Sequence, residues 1–176
     1  MKEIVNRIKE KFPVIKETYQ RDDLTFITTD KIHAVETVTY LRDYEGFKHL
    51  VLLTAVDWLE DGVFQLTYLL NNPIKKIDLG VRVKIPRSNP VMTSSHHLWA
   101  AMATYQRELF EMFGISFPGS PRMEEPFILD GWDGPPPYRR DFDTLKYAEE
   151  TFFPRSGRSS NDPAEHMKKK MYPEGP

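Results

Sequence analysis

Apolar residues recur at steps of three and four in three segments of the chain, which is the spacing of an amphipathic helix. The pattern predicts helices over residues 3–12, 30–45 and 94–113. The residues expected to cap their starts or to end them are Asp30, Ser94 or Ser95, Pro13, Gly46 and Gly114. The predicted buried faces consist of Ile4, Val5, Ile8 and Phe12; Ile32, Val35, Val38 and Leu41; and Leu98, Ala101, Met102, Tyr105, Leu109 and Met112.

Four other segments are rich in β-branched and aromatic residues and predict strands, most clearly where apolar and polar positions alternate. They cover residues 24–28, 47–58, 63–70 and 79–85. Asp61 and Gly62, between the second and third of these segments, form a dipeptide typical of a hairpin turn. A sheet with one apolar face needs a cover, and the amphipathic helices supply it. The predicted fold class is therefore α+β: a two-layer domain with a largely antiparallel sheet covered by helices.

The character of the sequence changes after Gly114. Six prolines between Pro118 and Pro137 exclude another long helix or a central strand. The segment is nevertheless too apolar for a disordered linker. Its large apolar residues include Phe117, Phe127, Ile128, Leu129, Trp132, Tyr138 and Phe142. We expect an extended, proline-rich C-terminal strap that lies across another surface, either on its own domain or on a partner.

Composition divides the chain into three parts: an α+β domain over 1–117, the strap over 118–154 and a tail over 155–176. The tail combines the loop-like run RSGRSSN with prolines, glycine and three consecutive lysines. Such a composition cannot build a core. We expect the tail to be extended, and either flexible or ordered only by a partner.

The run PPPYRRDF, residues 135–142, is the most specific interaction element. Three prolines favour polyproline II, a conformation that is already extended and loses little entropy on docking. Tyr138 and Phe142 supply apolar anchors, and Arg139, Arg140 and Asp141 supply charge-assisted hydrogen bonds. Packing of this run on its own domain is the alternative to contact with a partner.

Composition also limits the available chemistry. The absence of cysteine excludes a protein-borne iron–sulfur cluster, a disulfide and a thiolate nucleophile. A net charge of −2 provides no basic footprint for nucleic acid. No apolar run reaches the roughly 18 residues of a membrane span. We therefore expect a soluble protein that meets a membrane only through a complex, and its many charged residues favour a thermophilic source.

Two clusters invite a catalytic or metal-binding interpretation. His96 and His97 are adjacent, so on a helix they would point about 100° apart, and no third ligand follows at a suitable spacing. Arg107 and Glu111 have the spacing of an ordinary i,i+4 ion pair, and neither histidine nor nucleophile is near them in the sequence. No phosphate-binding loop or nucleophile elbow occurs. The residues alone thus predict a non-catalytic interaction protein without a cofactor.

The run RELFEMFGISFPGSP, followed by a tryptophan and PPPYRRDF, resembles the C-terminal signature of the family formed by the C subunits of respiratory complex I. The corresponding subunits of membrane-bound, energy-converting nickel–iron hydrogenases share this signature. The matching residues are Arg107, Glu108, Glu111, Met112, Phe113, Gly114, Ile115, Phe117, Gly119, Pro121, Arg139, Arg140, Asp141 and Phe142. Gln106 replaces an acid of the family pattern, Ser120 replaces a histidine, and Met123-Glu124-Glu125 replaces an arginine pair.

The resemblance implies a peripheral subunit on the cytoplasmic side of the cell membrane, in a complex that couples electron transport to ion translocation. It would brace a nickel–iron-type large subunit and an iron–sulfur small subunit, which would hold all the cofactors. The departures favour the hydrogenase type; complex I and a sulfur-reducing relative are alternatives. A free-standing adaptor that displays PPPYRR is the alternative of another class. The predicted partner-interface residues are Arg107, Glu108, Phe113, Phe117, Trp132, Tyr138, Arg139, Arg140, Asp141 and Phe142.

Overall fold

A computed structural model describes residues 1–152 and 162–172 of the protein. Its elements, in sequence order, are α1 (Lys2–Lys9), β1 (Val14–Arg21), β2 (Leu24–Thr29), α2 (Ala34–Asp43), β3 (His49–Trp58), β4 (Val63–Asn72), β5 (Ile77–Pro86), α3 (Ala100–Phe113), α4 (Thr144–Phe152) and α5 (Pro163–Met171). Within these ranges no helix has the length and apolar character needed to cross a bilayer.

The five strands form one sheet in the order β1-β2-β5-β4-β3. All neighbouring pairs are antiparallel except β2 and β5, which run parallel. The parallel pairing is possible because α2 and the β3–β4 hairpin lie between the two strands in sequence and supply the long connection that parallel strands need. The predicted fold class is confirmed.

One face of the sheet is buried under the helices. In β4 every second residue from Phe64 to Asn72 is buried, and in β5 the buried set includes Leu79, Val81, Val83 and Ile85. The alternation that the sequence shows in these strands therefore marks the helix-covered face. The same core takes Ile4, Val5 and Ile8 from α1, Val38 and Leu41 from α2, and Met102 and Leu109 from α3.

Several local predictions are wrong. Strand β1 escapes the pattern analysis because it is an edge strand whose side chains do not alternate regularly in burial. The predicted stripe of α2 includes Ile32, but this residue precedes the helix and is exposed. Asp30 instead holds the turn before α2, accepting hydrogen bonds from the N–H groups of Ile32 and His33 at 2.9 Å.

The start of α3 also differs from the prediction. The helix begins at Ala100, with Trp99 at the N-cap position, so neither Ser94 nor Ser95 caps it. Ser95 is buried, and residues 96–98 form a turn that places the two histidines ahead of the helix. Ala101 is exposed, whereas Met102, Leu109 and Met112 are buried as expected.

The protein forms two compact units, Met1–Arg139 and Arg140–Pro176. The first contains the sheet, its helices and the proline-rich segment 118–139. The second contains two helices, α4 and α5, where the sequence predicts extended chain. The remainder of the predicted tail, residues 155–161 and 173–176, lies outside the described residues.

Candidate functional site

The C-terminal end of α3 is the point from which the strap is held. Gly114 adopts the left-handed conformation with φ of 72°, as the sequence predicts, and its N–H bonds the carbonyl of Phe110 at 2.8 Å. The backbone then turns back, and Ser116 pairs with the segment after β5 through hydrogen bonds to Pro90 and Met92. Phe117 is buried in the core just beyond this pairing. The strap thus leaves from a fixed position on the domain.

Arg107 on the outer face of α3 holds the middle of the strap. Its Nη2 donates to the carbonyl oxygens of Glu125 and Pro126, at 3.1 and 2.8 Å. The guanidinium also lies over the ring of Phe127, 5.6 Å from the ring centre. The i,i+4 spacing predicts an ion pair with Glu111, yet this arginine bonds the strap backbone instead.

Glu111, one turn further along α3, binds three successive backbone N–H groups of the strap. Its carboxylate accepts from Phe127 and Ile128 at 2.8 Å and from Leu129 at 3.1 Å. Burial by itself would raise the pKa of Glu111, but these three donors and the charge of Arg107 bring it below its ordinary value. The three backbone N–H groups of the strap therefore form a binding site for the Glu111 carboxylate, and these hydrogen bonds fix the strap to α3.

The PPPYRR run closes the C-terminus of α3. Its Tyr138 N–H donates to the carbonyl of Met112 at 3.0 Å, and Arg139 Nε donates to that of Phe113 at 2.7 Å. These carbonyls belong to the last turn of the helix, where no helical N–H can reach them. A guanidinium is also favoured at the negative end of the helix dipole. The run thus serves as a cap for α3.

Aromatic contacts reinforce this cap. The rings of Tyr138 and Phe113 meet edge to face with centres 5.7 Å apart, and Phe113 packs in the same way on Phe64 at 5.9 Å. The Arg139 guanidinium lies 5.4 Å from the centre of the Phe64 ring. The first half of PPPYRRDF is therefore anchored on its own domain.

The docked strap leaves apolar side chains facing outward. Ile128 is 62% exposed, Tyr138 is 59% exposed, and Phe127 also remains exposed. Trp132 lines a shallow groove against Phe110 on α3. The strap backbone is held by the domain while much of its apolar side-chain surface is presented to the outside.

The predicted partner-interface residues therefore fall into distinct environments. Phe113 and Phe117 are buried in the core of this protein, so the interface prediction rests on the other residues. Glu108 is half-buried on α3, and Arg107 and Arg139 contact the strap and the helix end as described.

The last three predicted interface residues belong to the second unit. Arg140 and Asp141 are exposed, and the Phe142 ring lies 5.6 Å from that of Tyr147 on α4. The signature RRDF thus continues from the end of one compact unit into the start of the other.

Sequence reasoning missed a buried polar network behind α3. Gln106 is fully buried; its Oε1 accepts from Ser94 Oγ at 2.9 Å and its Nε2 donates to Ser95 Oγ at 3.3 Å. His96 Nδ1 lies 2.9 Å from the same Ser94 Oγ. One feature of the sequence could have indicated this network: Gln106 stands where the family pattern has an acid. A neutral amide suits a buried site between hydroxyl groups better than a carboxylate does.

Arg107, Glu111 and Arg139 each form hydrogen bonds to the backbone of the same molecule. These contacts hold and position the strap. Within residues 1–152 and 162–172, no three histidine, aspartate or glutamate side chains are grouped so that they could hold a metal ion.

The chain is similar to known proteins over most of its length. The model of a family described as the 30 Kd subunit of respiratory-chain NADH dehydrogenase matches residues 27–148. The C subunit of the NADH-quinone oxidoreductase of Moorella thermoacetica is 29% identical over 142 residues, 81% of this chain and 95% of that protein. The C subunit of the same enzyme from Laribacter hongkongensis is 31% identical over 149 residues, 80% of this chain and 75% of that protein.

Two solved structures share the fold. A chain of the membrane-bound sulfane sulfur reductase, an archaeal respiratory membrane complex, superposes with a TM-score of 0.82 and 27% identity over 92% of this chain and 96% of that one. A trypsin-resistant fragment of Nqo5 superposes with a TM-score of 0.58 and 21% identity over 68% of this chain and 96% of that one. The second likeness concerns the fold alone.

Proposed function

The chain belongs to the family of the 30 kDa subunit of respiratory-chain NADH dehydrogenase, and we propose that it is a cofactor-free subunit of a membrane-bound oxidoreductase complex of the hydrogenase type. The family resemblance of its sequence signature is confirmed, and the chain is a complex I 30 kDa-type subunit of a respiratory complex. Its proposed task is to brace a nickel–iron-type large subunit and an iron–sulfur small subunit. Electron transfer takes place in those partners.

The observation that carries this proposal is the strap over α3. A segment that is bonded to its own domain through the backbone, yet presents Phe127, Ile128 and Tyr138 outward, is preorganised for a second surface. Preorganisation reduces the entropy lost on association. The missing cysteine agrees with a role in which partners hold the clusters.

A sulfur-reducing complex is the second candidate. It is favoured by the superposition on a chain of the membrane-bound sulfane sulfur reductase, which covers nearly all of this protein. In either case the protein would occupy the cytoplasmic side of the membrane as a peripheral subunit. The two candidates differ in chemistry that belongs to other subunits.

The adaptor alternative receives less support from the structure. In an adaptor the PPPYRR run would be displayed for a proline-binding domain. Here the Tyr138 N–H and Arg139 Nε are bonded to the end of α3. Displaying the run would require these hydrogen bonds to break.

The test is gentle purification of the tagged protein from its native cells, followed by identification of the co-purifying polypeptides and metals. We expect membrane subunits together with a nickel-containing large subunit and an iron–sulfur polypeptide. A sulfur-reducing assembly would reduce sulfane sulfur without evolving hydrogen from protons. A soluble monomer, or a single signalling-type partner, would overturn the proposal.

A further inference from the structure

The face of the sheet opposite α1, α2 and α3 carries a regular arrangement of polar and charged side chains. The strand registers align its side chains in rows across the sheet. One row runs Val56–Gln65–Lys84; the next runs Thr54–Thr67–Arg82–Thr28–Lys16. Trp58 and Val56 are exposed at the β3 end of this face. The face thus combines a basic centre with an apolar margin.

Arg82 is held in this face by an unusual local arrangement. Gly80 leaves room for the ring of Phe26, because a Cβ at that glycine would lie 2.3 Å from Cδ1 of the ring. The Arg82 guanidinium stacks on the same ring, 3.8 Å from its centre. Stacking presents the planar donors of the guanidinium edge-on, which is the orientation that a carboxylate requires.

The same guanidinium lacks an acceptor among the residues that the structure describes. Its Nε is buried without a hydrogen bond. Burial also lowers the pKa of Arg82 from its usual value. Arg82 as a whole is half-buried, but a buried N–H donor without a hydrogen-bond acceptor is costly, so this site favours an incoming anion.

A cavity of about 540 Å³ opens in front of Arg82. Its lining includes the cations Lys16, Lys31, Arg82 and Lys84, against the single acid Asp30. Asp30 already accepts hydrogen bonds from backbone N–H groups and lies 2.8 Å from the ring of His33. Lys84 also pairs with Asp61, which is not part of the lining, at 3.4 Å. The lining itself carries four cations and one acid, so it is positive although the protein as a whole carries a net charge of −2.

We propose that the face of the sheet opposite α1, α2 and α3 docks an acidic polypeptide segment of a partner subunit, which places an aspartate or glutamate against Arg82. The apolar margin at Val56 and Trp58 receives the apolar residues that flank this acid. Such a margin favours a polypeptide over a small anion. This inference rests on the proposed function, because it takes the partner from the same complex.

Zero-length carbodiimide cross-linking of the purified assembly tests the inference, since the reagent joins an amine to a carboxylate only where the two are in contact. We expect links from Lys16, Lys31 or Lys84 to an acidic residue of one partner protein; a link from Lys84 to Asp61, which lies 3.4 Å away in the same chain, does not count. In an Arg82→Lys variant the amine at position 82 should join that same residue. The matched control is Arg21→Lys, which alters an exposed arginine outside the cavity.

The outcomes separate the two proposals. An intact assembly without links to a partner protein at positions 16, 31 and 84, or at 82 in the variant, overturns this inference and leaves the proposed function standing. Failure of any assembly to co-purify overturns the proposed function instead, and the isolated full-length protein then decides the inference.

The probe for the isolated protein is a short synthetic peptide of alternating glutamate and leucine. We expect it to shift the NMR resonance of the Gln65 side-chain amide saturably, with affinity about tenfold or more weaker in Arg82→Gln. Equal affinity in that variant contradicts the inference. So does a site that takes inorganic phosphate, at the same ionic strength, as well as it takes the peptide.

Discussion

Gly114 joins two requirements in one residue. Its φ of 72° lies in the region that side chains disfavour, and a Cβ there would lie 2.8 Å from Arg139 Nη2 and 3.3 Å from Pro136 Cγ. The residue therefore both ends α3 and leaves space for the PPPYRR run. Gln106 likewise has two roles, because its amide oxygen accepts a hydrogen bond from Ser94 and its amide nitrogen donates one to Ser95.

Replacement of Gly114 by alanine tests the close approach of the strap. Gly119→Ala is the matched control, because Gly119 has φ of 84° but no atom within 4 Å of an added Cβ. We expect the control to lose about 1 kcal/mol of unfolding free energy through backbone strain alone, and Gly114→Ala to lose more. Urea unfolding of both variants measures the difference. Equal losses would mean that Arg139 is not held against the glycine.

Gln106→Glu tests the buried network. A carboxylate at this fully buried position has its pKa raised, so the folded state binds a proton more readily than the unfolded state does. Stability therefore falls as the pH rises above the unfolded value near 4.3, by about 2 kcal/mol or more at neutral pH. Unfolding at pH 5 and pH 8 checks the slope. Gln106→Met, which adds no charge, should show a loss that is the same at both pH values.

At the scale of elements, the strap and α3 complete each other. The strap supplies the N–H groups that bind Glu111 and the donors that close the helix end, while the helix supplies the acceptors. Proline-rich chain has few internal hydrogen bonds, so its backbone needs such external partners. The consequence is an ordered segment without regular secondary structure.

The strap should loosen in acid through Glu111. Because the pKa of Glu111 is lowered in the folded state, its contribution is present above the unfolded value near 4.3 and is lost as the pH falls through the folded value. Hydrogen exchange of the Phe127, Ile128 and Leu129 amides measures this. Their protection should decrease at acid pH in the wild type.

Glu111→Gln should lower that protection at neutral pH too, because the neutral amide has one acceptor oxygen for three donors. Glu108→Gln is the control, since Glu108 lies on the same helix and makes no hydrogen bond to these amides. If the control loses as much protection as Glu111→Gln, the carboxylate of Glu111 is not what holds the strap.

In the molecule as a whole, the buried hydrophobic core consists of residues between Ile4 and Phe117 of the first unit. Stability and assembly should therefore depend on different residues. The core is covered by its own helices, whereas the exposed residues of the strap add little to the fold by burial.

A fragment that ends at Arg139 tests the independence of the first unit. We expect its thermal midpoint to lie within a few degrees of that of the full-length protein, because the core and the strap contacts of α3 are retained. Circular dichroism melts of both proteins provide the comparison. A fragment that is unfolded at room temperature would show that residues 140–176 are part of the folding unit.

A double variant, Tyr138→Ala with Arg140→Ala, tests the partner surface. Tyr138 is largely exposed and its backbone N–H is retained, so the isolated protein should lose only the ring contact with Phe113, about 1 kcal/mol, and its melting temperature should fall by a few degrees at most. Loss of an interface hot spot costs about 2 kcal/mol or more per side chain, so native gels should show failed assembly. Ile74→Ala with Lys75→Ala, a similar pair on an exposed turn, should assemble normally. Earlier melting with normal assembly would assign the strap a role in its own domain only.

Where burial is one-sided and periodic, the local residue pattern was enough to predict the structure. Strands β4 and β5, the end of α3 at Gly114 and the fold class were readable because alternation and a residue without a Cβ are local signals. The family signature was readable for the same reason, since it is a run of adjacent residue types. The sequence predicts the strap, but not the surface on which it lies.

Tertiary structure decided what depends on residues far apart in the sequence. Edge strand β1 has no regular alternation and exists because β2 offers it hydrogen bonds. Arg107 and Glu111 have the spacing of an ion pair, yet the strap backbone, more than ten residues away in sequence, takes both side chains. The spacing of residues along the chain shows which side chains could meet. Tertiary packing determines which of them are removed from water together. Polar groups removed from water need hydrogen-bond partners, and they find these among the groups packed against them.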